Sequence, residues 1–517
     1  MSNARMTFVR AANRTGTPRW ITPALVLGAL ATALACPEAT APASPPGGAN
    51  YFVAATGSPA GTGSLDSPWD LGTALGGAGG KVRPGDTLWL AGGTYHGTFR
   101  STIAGAPRAP VVVRGIPRQR VVIDVAAGKA EGSRGDAFVV SGDWTEWWDL
   151  ELMSSDLNRS TNTRPNMVVN DASHTRYIHL IVHDGGIGFY TYGSRWDVEV
   201  TGCIFYNNGW ERLIQGSGGH AIYVRSNTGP VLIRNNVIFN QFDYGIHIYT
   251  DRGQDALRNI RLEGNVSFNN GTVASRTAAA NILVGGGEPA DAVTLVGNRT
   301  YFSPGVDRPN VQLGYQGLMN GTLEADSNMV VGGSPALDIG FWAGARVRAN
   351  ALAGGDVLVR LRNLMPRNHT WDGNRYYRDP DVAAWSFGNQ ELSLPGWRLL
   401  TGLGVSDHAA AAAPLRPNAF VMPDPYERGR ATIAVYNWGR HALVPVDLSR
   451  VLAAGDYYEV RNVQTLFGEP VAKGIYDGGL VELSMGGVAA PAPVGMAVSP
   501  APVTGPDFNA FVVTKGR

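Results

Sequence analysis

Asn236-Val-Ile-Phe239, Asn265-Val-Ser-Phe268, Asn298-Arg-Thr-Tyr301 and Asn328-Met-Val-Val331 are one phrase repeated, and Asn350 opens a further copy. The steps between these asparagines are 29, 33, 30 and 22 residues, with no helical run between them. A repeat of that size and irregularity reads as a solenoid whose coils differ in loop length. Each coil then buries its apolar side only by stacking on its neighbours. An asparagine at a tight, core-facing turn can bond the same turn above and below it, where backbone polar groups would otherwise stay unpaired. The asparagine column is therefore read as a structural ladder and not as a catalytic set.

Neighbouring segments overlay on the same plan. Ile187-Gly-Phe-Tyr-Thr-Tyr192 matches His220-Ala-Ile-Tyr-Val-Arg225, then Ile246-His-Ile-Tyr-Thr-Asp251, then Asn281-Ile-Leu-Val-Gly-Gly286. A second strand follows each, at Val198, Val231, Ile260 and Ala292, and a third follows the asparagine. Three short strands per coil, rich in Val, Ile and Leu and bounded by Gly, Asn and Asp, predict an all-β chain.

Gly is 67 of 517 residues but keeps no third-residue period, which excludes collagen. The net charge is +1 and charged residues are only 16%, so no basic face is available and nucleic acid is not expected as a partner. No phosphate-binding Gly loop, cofactor fingerprint or paired-Cys metal motif is present, so no cofactor is required on this reading. His179 and His183 are four apart in a strand-like run, where that spacing does not close a metal site as it would on a helix. Calcium alone is left open, through scattered Asp and carbonyl groups.

The entry Tyr51-Phe-Val-Ala54, a Gly-rich loop, Pro84-Gly-Asp-Thr-Leu-Trp-Leu90 and Gly92-Gly-Thr-Tyr95 resembles the start of right-handed parallel β-helix proteins of the pectate-lyase type. The resemblance covers roughly residues 50–360 and implies that fold and a polysaccharide as partner. The paired-Asp pattern of polygalacturonases, the Asp-Pro-His-Glu signature of alginate epimerases and the acidic cluster of calcium-dependent pectate lyases are all missing. Residues 361–413, rich in aromatics, read as a cap and linker. Residues 414–517, with Ala431-Thr-Ile-Ala-Val-Tyr436, Tyr457-Tyr-Glu-Val-Arg461 and Leu480-Val-Glu-Leu483, read as a C-terminal β-sandwich. Val435-Tyr-Asn-Trp-Gly439 resembles the terminal sandwiches of many carbohydrate-active enzymes.

Strand alternation places the chemistry. With Phe189, Ile222, Ile248 and Leu283 facing the core, Tyr190, Tyr223 and Tyr249 form one outer column. Tyr192, Arg225 and Asp251 form the next, and His247 stands on the same side as Tyr249. At about 4.8 Å per coil these make one patch roughly 10 Å across. His220 has the opposite parity and turns either inward or outward at the coil corner. Asp184 and Glu211, on loops leading to these strands, are candidate groove residues; the blander reading of each is a surface carboxylate.

Three functions fit such a patch. In a lyase, Arg225 neutralises a uronate carboxylate, His247 or His220 removes the neighbouring proton, and Tyr249 or Tyr223 protonates the departing oxygen. A glycoside hydrolase instead needs Asp251 and a second carboxylate, from Asp184, Glu211 or Asp243, at about 5 Å or about 6.5–9.5 Å. A non-catalytic glycan-binding or surface protein is the third. The carboxylate-gripping arginine puts elimination narrowly first.

Arg10, Arg14 and Arg19 precede the apolar run from Ile21 to Ala35, which reads as an export signal over residues 1–36, with a Pro/Ala/Ser/Gly tether over 37–49. Ala33-Leu-Ala-Cys36 resembles a bacterial lipoprotein cleavage site, which implies a lipid anchor at Cys36; ordinary cleavage nearby is the alternative. An exported monomer is expected. Cys203 is read as a small buried hydrophobe.

Overall fold

Three 12-stranded sheets carry the chain from Asn50 to Ala410 of the computed structural model. Each coil contributes one strand to each sheet, as in Ile222–Arg225 (front), Val231–Arg234 (side) and Val237–Phe239 (back). Successive coils pair in parallel, for instance Val231 with Ile260 and Ile260 with Val293. The residues described are 47–126, 135–160, 164–212, 216–225, 227–275, 279–363, 365–495 and 500–516, all within one compact unit, Ala41–Arg517. The export segment, Cys36 and most of the tether lie outside them.

The corner from side to back sheet explains the repeated asparagine. The residue before it is left-handed: Asn235 (φ 52), Gly264 (φ 62), Gly297 (φ 65), Ser327 (φ 56) and Ala349 (φ 52). That sharp bend leaves backbone groups with no strand partner, and the asparagine supplies one. Asn265 Nδ2 donates to Ile233 O (2.8 Å) and to Asn298 Oδ1 (2.9 Å), while its own Oδ1 accepts from Asn236 Nδ2 (2.9 Å). The ladder runs on through Asn328, Asn350 and Asn374, and ends on the carboxylate of Asp407. At its other end Asn236 Oδ1 accepts from Cys203 N (2.9 Å), and Cys203 Sγ accepts from Leu180 N (3.3 Å). Cys203 thus occupies the ladder position one coil earlier, fully buried, with burial pushing its thiol up to about 12. A second ladder, not anticipated, turns the corner from back to front. Gln241 N donates to Asn270 Oδ1 (3.3 Å), Asn270 Nδ2 to Asn281 Oδ1 (2.7 Å) and Asn281 Nδ2 to Asn310 Oδ1 (2.8 Å).

The coils do not stop at residue 360. His369–Asp372, Arg375–Tyr377, Trp385–Phe387 and His408–Ala410 extend the three sheets, so the aromatic-rich segment supplies further coil strands as well as a cap. The cap is the helix Leu394–Thr401, started by the Ser393 side chain accepting from Gly396 N and stopped at Gly402 (φ 69). Its Trp397 is fully buried beside Trp371 (centroids 5.5 Å) and plugs the open end of the core.

Beyond it, a five-stranded antiparallel sheet and the pair Leu443–Asp447/Leu480–Ser484 enclose Ile433, Val446, Leu483 and Phe511, a small sandwich. The other face of the five-stranded sheet, with Tyr436, Phe508 and Val512, packs on Tyr206, Phe239, Phe268 and Tyr301 of the back sheet. The Tyr206, Phe239 and Phe268 rings stack at 5.3 and 5.1 Å, near the strand spacing. The back of the solenoid is thereby covered.

Candidate functional site

Front-sheet register sets the site. Phe189 pairs with Ile222 and Ile222 with Ile246, so Tyr190, Tyr223, His247 and Leu283 form one outer column. Tyr192 pairs with Arg225 in the next. The sequence overlay was two residues out at Ile246. A two-residue slip keeps every side chain on its own face, so Ile248 is in the core and His247, Tyr249 and Asp251 point outward as expected. Tyr223, however, stands beside His247 and not beside Tyr249. At Asn281 the overlay was one residue out, which reverses faces: Leu283 joins the outer column, though still buried, and Ile282 and Val284 take the core.

His247 lies at the middle of the cluster. Its ring stacks between Tyr223 (5.0 Å), Tyr244 (4.5 Å) and Tyr249 (5.0 Å). Its Nδ1 is 3.1 Å from His220 Nε2, so a single proton lies between the two rings. Burial pulls the His247 pKa down to about 3, so the imidazole stays neutral. His220 therefore turns outward, and its Nδ1 is 3.9 Å from Asp243 Oδ2. Burial raises the phenols of Tyr223 and Tyr244, which stay protonated. They are proton donors at neutral pH, not bases.

Arg225 forms the open side. Its Nε donates to Gln254 Oε1 (3.0 Å) and its Nη2 to Asp251 Oδ2 (2.9 Å), with Tyr190 Oη at 3.5 Å from Nη1. The guanidinium is aimed but still one-third exposed (33%), and Asp251 more so (52%). Tyr190 and Tyr192 stack at 5.2 Å beside it. Tyr249 Oη accepts from Gln316 Nε2 (2.8 Å). Seven sequence-predicted residues and His220 therefore meet on one wall: Tyr190, Tyr192, Tyr223, Arg225, His247, Tyr249 and Asp251.

Asp184 and Glu211 are not part of it. Asp184 is buried, taking Arg159 Nη2 at 2.6 Å, His183 Nδ1 at 2.7 Å and Val494 N at 2.8 Å. It ties a fully buried arginine and an arm of the sandwich to the coil, and both its oxygens are engaged. Glu211 is buried and accepts from the amide and hydroxyl of Ser275, closing a loop. Both were read as loop residues free to reach the groove; both instead clamp loops shut.

Tyr244, Gln254 and Gln316 were missed. Tyr244 has the inward parity of Ile246 but lies before the strand Ile246–Ile248 begins, where alternation no longer fixes a side chain's direction. Gln316 arrives from two coils further on, and no sequence signal marks it. His179 sits between Asp149 (3.4 Å) and Asp424 (2.9 Å), and His183 between Glu151 and Asp184. Among the described residues no group of His, Cys, Asp or Glu is arranged to bind a metal ion.

The fold is similar to pectate lyase Pel9A at 15% identity, over 65% of this chain and 82% of that chain, with TM-score 0.44. It is similar to a rhamnogalacturonan lyase at 13% identity (63% and 87%, TM-score 0.47). It is also similar to the GH136 lacto-N-biosidase from Eubacterium ramulus at 12% identity (70% and 67%, TM-score 0.40). No curated protein matches the sequence. Residues 157–300 match the family described as right handed beta helix region, and with three stacked sheets carrying the coils on either side of that match, the chain is a right-handed parallel β-helix protein.

Proposed function

We propose that this chain cleaves a uronate-containing polysaccharide by β-elimination on the front sheet. The observation that carries the reading is Arg225: a one-third-exposed guanidinium, aimed by Gln254 and Asp251, beside stacked tyrosines and the neutral His247 paired with His220. Tyrosine faces suit sugar rings, and a guanidinium fork suits a carboxylate. Neutralising that carboxylate acidifies the adjacent C–H. His220, hydrogen-bonded to the neutral His247, accepts the proton, the C–H electrons form the new C=C bond, and the C–O bond to the neighbouring sugar breaks. A tyrosine gives its proton to the departing oxygen, so no water is consumed.

Hydrolysis loses ground because two of its three candidate second carboxylates, Asp184 and Glu211, are consumed in buried contacts. Only Asp243 is left to accompany Asp251. The test is a screen of acidic and neutral glycans that reads both the ultraviolet absorbance of unsaturated ends and new reducing ends. Unsaturated ends are expected from an acidic polymer. Reducing ends without them would overturn elimination in favour of hydrolysis. Full turnover after alanine replaces both His247 and Tyr249 would overturn the site.

A further inference from the structure

We infer that Tyr249, not Tyr223, is the proton donor, and that Gln316 is the positioning residue that makes it one. This rests on the elimination reading. Tyr223 is half-buried and packed on both faces, by Tyr190 (5.4 Å) and His247 (5.0 Å). Tyr249 stands on the open side, with Tyr315 edge-on at 6.2 Å. Gln316 Nε2 donates to its oxygen, and the charge of Asp251 acts on it from nearby. Burial and the Asp251 charge keep the phenol protonated, so a proton is always there to give.

Giving it up leaves a phenolate. The Gln316 N–H is the group that favours that phenolate, because a donor to the phenol oxygen gains strength as charge builds there. An interaction stronger in the transition state than in the ground state raises turnover and leaves binding alone. The backbone shows that Gln316 is placed with effort. Gly314 (φ 95), Gln316 (φ 56) and Gly317 (φ 74) are all left-handed, an uncommon conformation for a glutamine. That turn swings the amide back across two coils, about 10 Å along the axis.

In the balanced step the sugar C–H proton passes to His220 and from there to solvent, the C–H electrons become the C=C bond, and the C–O electrons stay on the leaving oxygen. That oxygen takes the Tyr249 proton, and the phenolate rests on the Gln316 N–H until solvent reprotonates it.

The test uses Gln316→Leu and Gln316→Glu in the full chain. Two readouts are taken: kcat and KM on an acidic polymer across pH, and ultraviolet titration of the phenol, isolated by subtracting the Tyr249→Phe variant. Gln316→Leu is expected to lower kcat about tenfold with KM unchanged, and to move the Tyr249 titration upward. Gln316→Glu, which loses the donor when ionised, is expected to do at least as much. Unsaturated product with kcat unchanged in Gln316→Leu would overturn the inference while leaving elimination standing, and so would a Tyr249 titration that does not move. Absence of unsaturated product from the unaltered protein on every acidic polymer would overturn the elimination reading, and this inference with it.

Discussion

Asn265 shows how much a single side chain carries in this architecture. It donates twice and accepts from both the backbone and the side chain of Asn236, all without solvent. Asn265→Ala strands groups on two neighbouring coils, and the expected loss is about 3 kcal/mol by denaturant unfolding. Asn298→Asp is a sharper probe, since an ionised carboxylate cannot donate to Leu262 O or Asn328 Oδ1. Arg225 is the functional counterpart. Arg225→Lys keeps the charge but loses the fork that meets Gln254 and Asp251 together. On an active acidic polymer, kcat/KM is expected to fall roughly 10- to 100-fold, whereas a fall below twofold would remove the arginine from carboxylate recognition. Asp184 and Glu211 teach the opposite lesson. A carboxylate on a loop looks free in a sequence, and only its partners 25 and 64 residues away reveal a clamp.

At the scale of elements, the cap helix divides its side chains sharply. Trp397 is fully buried against the last coil, while Leu399, two residues on, is 90% exposed. Trp397→Ala is expected to cost about 3–5 kcal/mol by opening the end of the core. Leu399→Ala is expected to stay within about 0.5 kcal/mol, so equal effects would refute the plug. Strand pairing shows which part of the site could be read in advance. The alternation in Ile246-His-Ile-Tyr-Thr-Asp251 is enough to send His247, Tyr249 and Asp251 to one face, whatever the register. Register decides who stands beside whom. It puts His247 next to Tyr223, and Leu283 outside the core, and both were misplaced because apolar and glycine residues at the strand ends fit more than one alignment.

For the molecule as a whole, two histidines make stability depend on pH in opposite directions. His179 lies at the seam where the sandwich meets the coil, faced by Asp149, Asp424, Glu427 and the cation Arg430. Burial and Arg430 pull its pKa down, but Asp424 and Asp149 outweigh them and hold it above the usual imidazole value. Its stabilisation is complete below about pH 6.5 and is lost as pH rises through the folded pKa. His247 has the reverse sign. Depressed to about 3, it refuses a proton that the unfolded chain accepts, so stability falls as pH drops from about 6.5 toward that value. Thermal unfolding between pH 4 and 9 is therefore expected to pass through a maximum. His179→Gln should lower the maximum and flatten the alkaline side, and an unchanged alkaline slope would exclude His179 as its source. The asparagine period, the strand alternation and the apolar runs are local patterns, and they alone determined a stacked all-β solenoid with tyrosines, Arg225 and His247 on one wall. Burial by distant chain is not local. Which face the sandwich covers, which carboxylates the loops consume, and the reach of Gln316 back to Tyr249 were decided only by the tertiary structure, because each depends on where a segment tens to hundreds of residues away comes to rest.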